Sequence, residues 1–142
     1  MAEYIEQNMP DDKFSDIYVI KDIAQRLTSE RLSFSLKAKE SDPNKTFETG
    51  EANCIGYAAF TATVANHLIE KMYADNSWKA IPCKGKLYVF GSDIHQYTES
   101  RWFKDHDFVI FRNRESDSEI YADPTVSDYM GINEISKYKP EK

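Results

Sequence analysis

The stretch Cys54-Ile55-Gly56-Tyr57-Ala58-Ala59-Phe60-Thr61-Ala62-Thr63-Val64-Ala65-Asn66-His67-Leu68-Ile69-Glu70-Lys71-Met72 decides the fold. It holds a single glycine, Gly56, and no proline. Ile55, Ala58, Ala59, Ala62, Ala65, Leu68, Ile69 and Met72 recur at helical spacing and make one apolar face about five turns long. Several of these inner residues are alanine, so whatever packs on this helix must approach closely. Asn53 or Thr49 can cap its start, because their side-chain oxygens accept from N–H groups that the first turn leaves unpaired.

Upstream, Phe14 to about Leu32 reads as a second helix. Ile17, Ile20, Ile23, Ala24 and Leu27 share a face, and Ser15 is the expected N-cap. Residues 39–49 are polar and punctuated by Pro43, which reads as loop. Residues 1–13 are polar and acidic and read as a flexible N-terminal segment. Downstream the pattern changes to strands. Trp78 to Phe90 is strand material around a turn near Lys84-Gly85. Residues 91–104 are an irregular loop. His106 to Phe111 and Glu119 to Pro124 are two strands, and residues 113–118 between them are polar and short enough for a hairpin. Helices first and strands afterwards, without alternation, is an α+β order: a central helix packed against an antiparallel sheet.

The chain has 142 residues, the size of one domain spanning 1–142. Its net charge is −6, and an acidic surface repels phosphate backbones, so nucleic acid is excluded as a partner. No apolar run approaches the roughly 20 residues of a membrane span. The N-terminus carries neither a basic nor an apolar leader region, which implies a cytoplasmic protein with no membrane association. Two cysteines do not make a disulfide framework. Cys54, Cys83, His67, His95 and His106 match no zinc-ligand spacing, so no metal and no cofactor is expected. Cys83 reads as a structural thiol, His67 as a helix-flank residue and His95 as a surface residue. Arg112 to Glu115 read as a solvated hairpin tip.

Three residues carry chemistry in combination. Cys54 opens the central helix, where unpaired N–H groups and the helix dipole favour a negatively charged thiolate. His106 opens one strand and Asp123 closes the next. Pairing His106 with Asp123 centres the turn between Arg114 and Glu115, and the polar loop centres near residue 115 or 116. The two are therefore opposite or one diagonal step apart, on a shared face. A carboxylate that orients an imidazole, and an imidazole that serves a thiol, are the parts of a nucleophilic triad.

With these residues in hand, Gly50-Glu51-Ala52-Asn53-Cys54-Ile55-Gly56-Tyr57-Ala58, Asp105-His106-Asp107-Phe108-Val109-Ile110 and Ile120-Tyr121-Ala122-Asp123-Pro124-Thr125 resemble the transglutaminase-like superfamily. The resemblance covers roughly residues 15–130. It implies a papain-like α+β core, with Cys54 as nucleophile, His106 as general base and acid, and Asp123 as the carboxylate that orients the histidine. Phe108 stands where many members carry tryptophan, and the 91–104 segment is longer than the family's pattern. The Cys54 N–H is one oxyanion donor by position, and Asn53, Tyr57 and Trp102 are side-chain candidates for the oxyanion site or substrate cleft. Tyr97, Trp102 and Phe103 either flank a substrate groove or edge the core. The implied reaction is acyl transfer on a peptide or protein amide. Hydrolysis by a cysteine peptidase or amidase is favoured, because water needs no second substrate site. A transglutaminase, a protein-glutamine deamidase and a catalytically inactive binding module of the same fold are the alternatives.

Overall fold

Asn53 begins the long helix as its residue type favours: its Oδ1 accepts the Gly56 N–H at 3.1 Å. The computed structural model describes residues 1–11, 16–73, 77–85, 88–89, 92–93 and 106–125. In chain order the elements are α1 (Ala2–Gln7), α2 (Ile17–Arg31), β1 (Ser33–Phe34), α3 (Pro43–Thr49), β2 (Glu51–Ala52), α4 (Cys54–Met72), β3 (Trp78–Gly85), β4 (Tyr88–Val89), β5 (Ser92–Asp93), β6 (His106–Asn113) and β7 (Glu119–Ala122). The architecture is mixed α+β, with α4 packed against an antiparallel sheet of order β3-β6-β7. Two small pairs accompany it: β1 with β2, parallel, and β4 with β5, antiparallel.

The apolar face expected of α4 is wider than the sequence spacing implies. Tyr57, Phe60, Thr61 and Val64 are fully buried together with Ala58, Ala65 and Leu68. A helix apolar on most sides is an interior helix. The sheet covers one side through Ala80, Val109, Phe111 and Ala122, which belong to the same core cluster as α4. Helix α2 covers another through Ile20, Ala24 and Leu27. The alanines and threonines let these elements approach. At the α2–α4 contact, Thr28 Oγ1 lies 2.8 Å from Thr61 Oγ1 and donates or accepts there, while also bonding the Ala24 carbonyl at 2.8 Å.

One side chain ties α4 to the sheet directly. The Asn66 Nδ2 donates to the Ala80 carbonyl at 2.9 Å, and the Asn66 Oδ1 accepts the Ala80 N–H at 2.8 Å. Strand β3 lies at the edge of its three-stranded sheet. The Asn66 amide therefore satisfies backbone groups that would otherwise face an open edge. The edge position also explains how Pro82 sits inside a strand, opposite Val109: it has no N–H to offer a ladder.

Several local expectations change. Residues 2–7 of the segment read as flexible form a helix that packs on α4, with Ile5 buried and the Tyr4 hydroxyl donating to the Leu27 carbonyl at 3.3 Å. Helix α2 begins at Ile17 with Asp16 as its N-cap, the Asp16 Oδ1 accepting the Tyr18 N–H at 2.9 Å, and Phe14 and Ser15 lie outside the described residues. Residues 43–49, read as loop, are helical. Pro43 occupies the first turn, where a missing N–H costs nothing, and Asp42 caps it. Arg31 then pins α3 to α2, its guanidinium donating to the Phe47 carbonyl and lying 4.4 Å from the Phe47 ring centroid. Strand β3 runs through Lys84 and Gly85 without turning, paired with Asp107 and His106. Strand β7 ends at Ala122, so Asp123 and Pro124 lie just past it. Among the described residues no helix is long and apolar enough to cross a membrane.

Candidate active site at the start of the central helix

Four local features fix where Cys54 sits. Gly50 ends α3 in the left-handed region, φ 72°, which residues with a Cβ rarely adopt. The chain then forms β2 beside β1, with the Ser33 N–H donating to the Gly50 carbonyl and the Ser35 N–H to the Ala52 carbonyl, each at 2.8 Å. Asn53 caps the helix, and Cys54 is its first residue. Two positions later Gly56 allows a close approach. A Cβ there would stand 2.7 Å from the Ala52 Cβ and 3.0 Å from the Glu40 carbonyl oxygen. The glycine is present because the backbone of residue 40 crosses directly over the first turn.

Cys54 is a free, half-buried cysteine. Its thiol donates to the Asp107 Oδ2 at a sulfur–oxygen distance of 3.6 Å. Strand alternation explains why Asp107 is the residue met. Val109 and Phe111 belong to the cluster that includes α4, whereas Phe108 and Ile110 pack with Cys83 and Tyr121 in a second cluster. Asp107 shares the parity of the first pair. Asp107 was not singled out from the sequence, and no pattern there could have done so. Residues 108–111 are apolar without alternation, and a strand buried on both faces does not declare which parity faces a given helix.

The backbone of His106 opens β6 opposite Gly85, at the register parity of Phe108 and Ile110 and not at that of Asp107, and its imidazole lies outside the described residues. Asp123 is 1% exposed, and its Oδ1 accepts the Thr125 N–H at 3.0 Å. The β6–β7 register pairs Val109 with Ala122. Continued by one residue it sets the Asp123 backbone level with Phe108, one diagonal step from His106. That is the second of the two spacings expected from the hairpin.

The oxyanion candidates separate. Tyr57 is fully buried, and its hydroxyl donates to the Leu32 carbonyl at 2.9 Å. It therefore serves the core beneath the first turn and does not face a substrate. Asn53 is nearly buried, with its Oδ1 committed to the cap. Trp102, together with His95, Tyr97 and Phe103, lies outside the described residues. Cys83 sits on β3 opposite Phe108 in the second cluster. His67 lies on α4 with its Nε2 3.4 Å from the Glu6 Oε1, a flank position against α1. Among the described residues no group of three or more His, Cys, Asp or Glu side chains is placed to hold a metal ion. No family model, curated protein or solved structure matches this chain.

Proposed function

We propose that the chain is a thiol-dependent acyl-transfer enzyme of papain-like, transglutaminase-like type, acting on peptide or protein amides by hydrolysis. One observation carries this reading: a free, half-buried cysteine is the first residue of the central helix, and its thiol meets Asp107, the residue next to His106 on β6. In this reading the Cys54 thiol gives its proton to His106 and the sulfur attacks the amide carbonyl, forming a C–S bond and a tetrahedral oxyanion. The Cys54 N–H, unpaired at the helix start, donates to that oxygen. The C–N bond breaks as His106 delivers a proton to the leaving amine. Water, deprotonated by His106, then attacks the thioester and frees the acid and the thiol. Asp123 orients the imidazole. Asp107 holds the resting thiol, and the sulfur leaves it when substrate enters.

The rim favours an apolar substrate residue beside the reacting amide. Ile55, the next residue after Cys54, is 47% exposed, and Leu36, on the segment that leaves β1 alongside Ala52, is 50% exposed. A second reading, a binding module without turnover, is favoured by the partner of the thiol being a carboxylate. The two are separated by iodoacetamide alkylation at pH 7 with mass mapping of Cys54 and Cys83. For an enzyme, Cys54 reacts faster than Cys83, and His106→Ala slows it by about 100-fold or more, the size of a general-base contribution. Equal rates at both cysteines, with no response to His106→Ala and a response only to Asp107→Asn, would establish the binding module instead.

A further inference from the structure

At the opposite end of α4, on the order of 28 Å from Cys54 by the rise of a 19-residue helix, lies a concavity. It is a cleft of about 380 Å³. That size falls within the range of about 300–1,000 Å³ typical of ligand sites. Three aromatic side chains line it: Tyr18 from the first turn of α2, Tyr73 at the C-terminus of α4, and Trp78 at the start of β3. Two carboxylates join them, Asp16 and Glu119. Among the described residues that line the cleft there is no lysine, arginine or histidine.

We propose that this cleft binds an alkylated ammonium group, of the kind carried by choline or by a trimethylated lysine. Aromatic faces attract such cations through their quadrupoles, and the attraction grows where the cation has little water to lose. The pole of α4 and the carboxylates favour a cation, against the positive N-terminal pole of α2, which Asp16 caps at the same cleft. The cleft sits at the C-terminal end of α4, where unpaired carbonyls make the helix pole negative. Asp16 uses its Oδ1 to cap α2. Glu119 is paired with Arg112, 2.6 Å away, whereas Asp16 forms no ion pair among the described residues. The protein already seats one ammonium against one of these rings: the Lys21 Nζ lies 5.7 Å from the Tyr18 ring centroid and 3.6 Å from the Asp22 Oδ1. Tyr18 is nevertheless 53% exposed, a large ring left in solvent at the mouth of an acidic, aromatic cleft. The net charge of −6 adds a long-range attraction for cations.

The test is a titration of the ¹⁵N-labelled full chain, following the Trp78 indole resonance, which Trp78→Phe identifies. The probes are choline, a trimethyllysine peptide, and the neutral isostere of choline in which a quaternary carbon replaces the nitrogen. Choline or the peptide should move the indole resonance with saturation at about millimolar concentration, and the isostere should bind about tenfold more weakly. Tighter binding of the peptide would name a protein side chain as the source, and equal binding a small molecule. Asp16→Asn tests the charge alone, because asparagine caps a helix as well as aspartate does, and should weaken binding by about three- to tenfold. Equal binding of the isostere, no shift at choline concentrations on the order of tens of millimolar, or an Asp16→Asn variant that binds choline unchanged would each overturn the proposal.

Discussion

At its first residue α4 meets backbone, and past its last it meets aromatic rings. Around Cys54 the chain passes so close that Gly56 has no room for a Cβ, and the cap, the β1–β2 pair and the Glu40 carbonyl crowd one turn. Around Tyr73 the neighbours are Tyr18 and Trp78, and a cleft remains among them. The two poles also carry opposite fields, positive at the N–H end and negative at the carbonyl end. The contrast teaches that one buried helix can serve two chemistries. Its start suits a nucleophile and the oxyanion that nucleophile creates, and its end suits a cation. The large apolar side chains exposed among the described residues are distributed accordingly, with Ile55 and Leu36 near the first pole and Tyr18 at the second.

The largest effect is expected where α4 is fastened between these poles. Asn66→Ala leaves both the N–H and the carbonyl of Ala80 without their partner, two residues from Trp78. A loss of about 2–4 kcal/mol in urea unfolding is expected, since each buried group left unsatisfied costs about 1–3 kcal/mol. Amide exchange at Ala80 should accelerate, and choline binding should weaken with it, while Cys54 alkylation in the folded protein holds. A loss below about 0.5 kcal/mol would mean that water replaces the amide freely at this edge.

Gly56→Ala attacks the other pole. Helix propensity alone would favour alanine by about 1 kcal/mol. Against that, an added methyl at 2.7 Å from the Ala52 Cβ and 3.0 Å from a backbone oxygen forces the chain apart. Overpacking of this kind costs about 1–3 kcal/mol, so a net destabilisation of about 1 kcal/mol is expected. Cys54 alkylation should change, and choline binding should not. A stabilised Gly56→Ala would show that the segment around Glu40 yields, and that the first pole is less crowded than its geometry implies.

The smallest effect concerns α1, which touches neither pole. Burial, helped by the charge of Glu30 and opposed by Arg31 and Arg26, raises the Tyr4 hydroxyl above its ordinary value. Folded Tyr4 thus stays neutral where unfolded Tyr4 ionises. The stability this contributes is complete below pH of about 10 and is lost as pH rises through the folded value. Tyr4→Phe should cost less than about 1 kcal/mol at neutral pH and should flatten the alkaline limb of a stability–pH curve. An unchanged alkaline limb would remove Tyr4 docking as its cause.

The amino-acid sequence by itself determined the elements whose patterns are long. Nineteen residues of helical spacing, bounded by an asparagine cap, specified α4 at both ends, and the polar run at 113–118 specified the hairpin to within a diagonal step. Short elements were not legible in this way. Helices of six and seven residues lie below the length at which nucleation is repaid locally, so α1 and α3 exist through Ile5, Tyr4 and Phe47 packing on the rest. The placement of Cys54 at the start of a helix followed from residue types. That its thiol meets Asp107 was decided only by tertiary structure, because β6 is apolar on both faces and its parity is set by how the sheet lies on α4. The aromatic cleft is the extreme case. Residues 16–18, 73, 78 and 118–120 are far apart in the chain, and none carries a local signal. They meet because α2 and the sheet both pack on the same helix, and that arrangement is recorded in no single stretch of sequence.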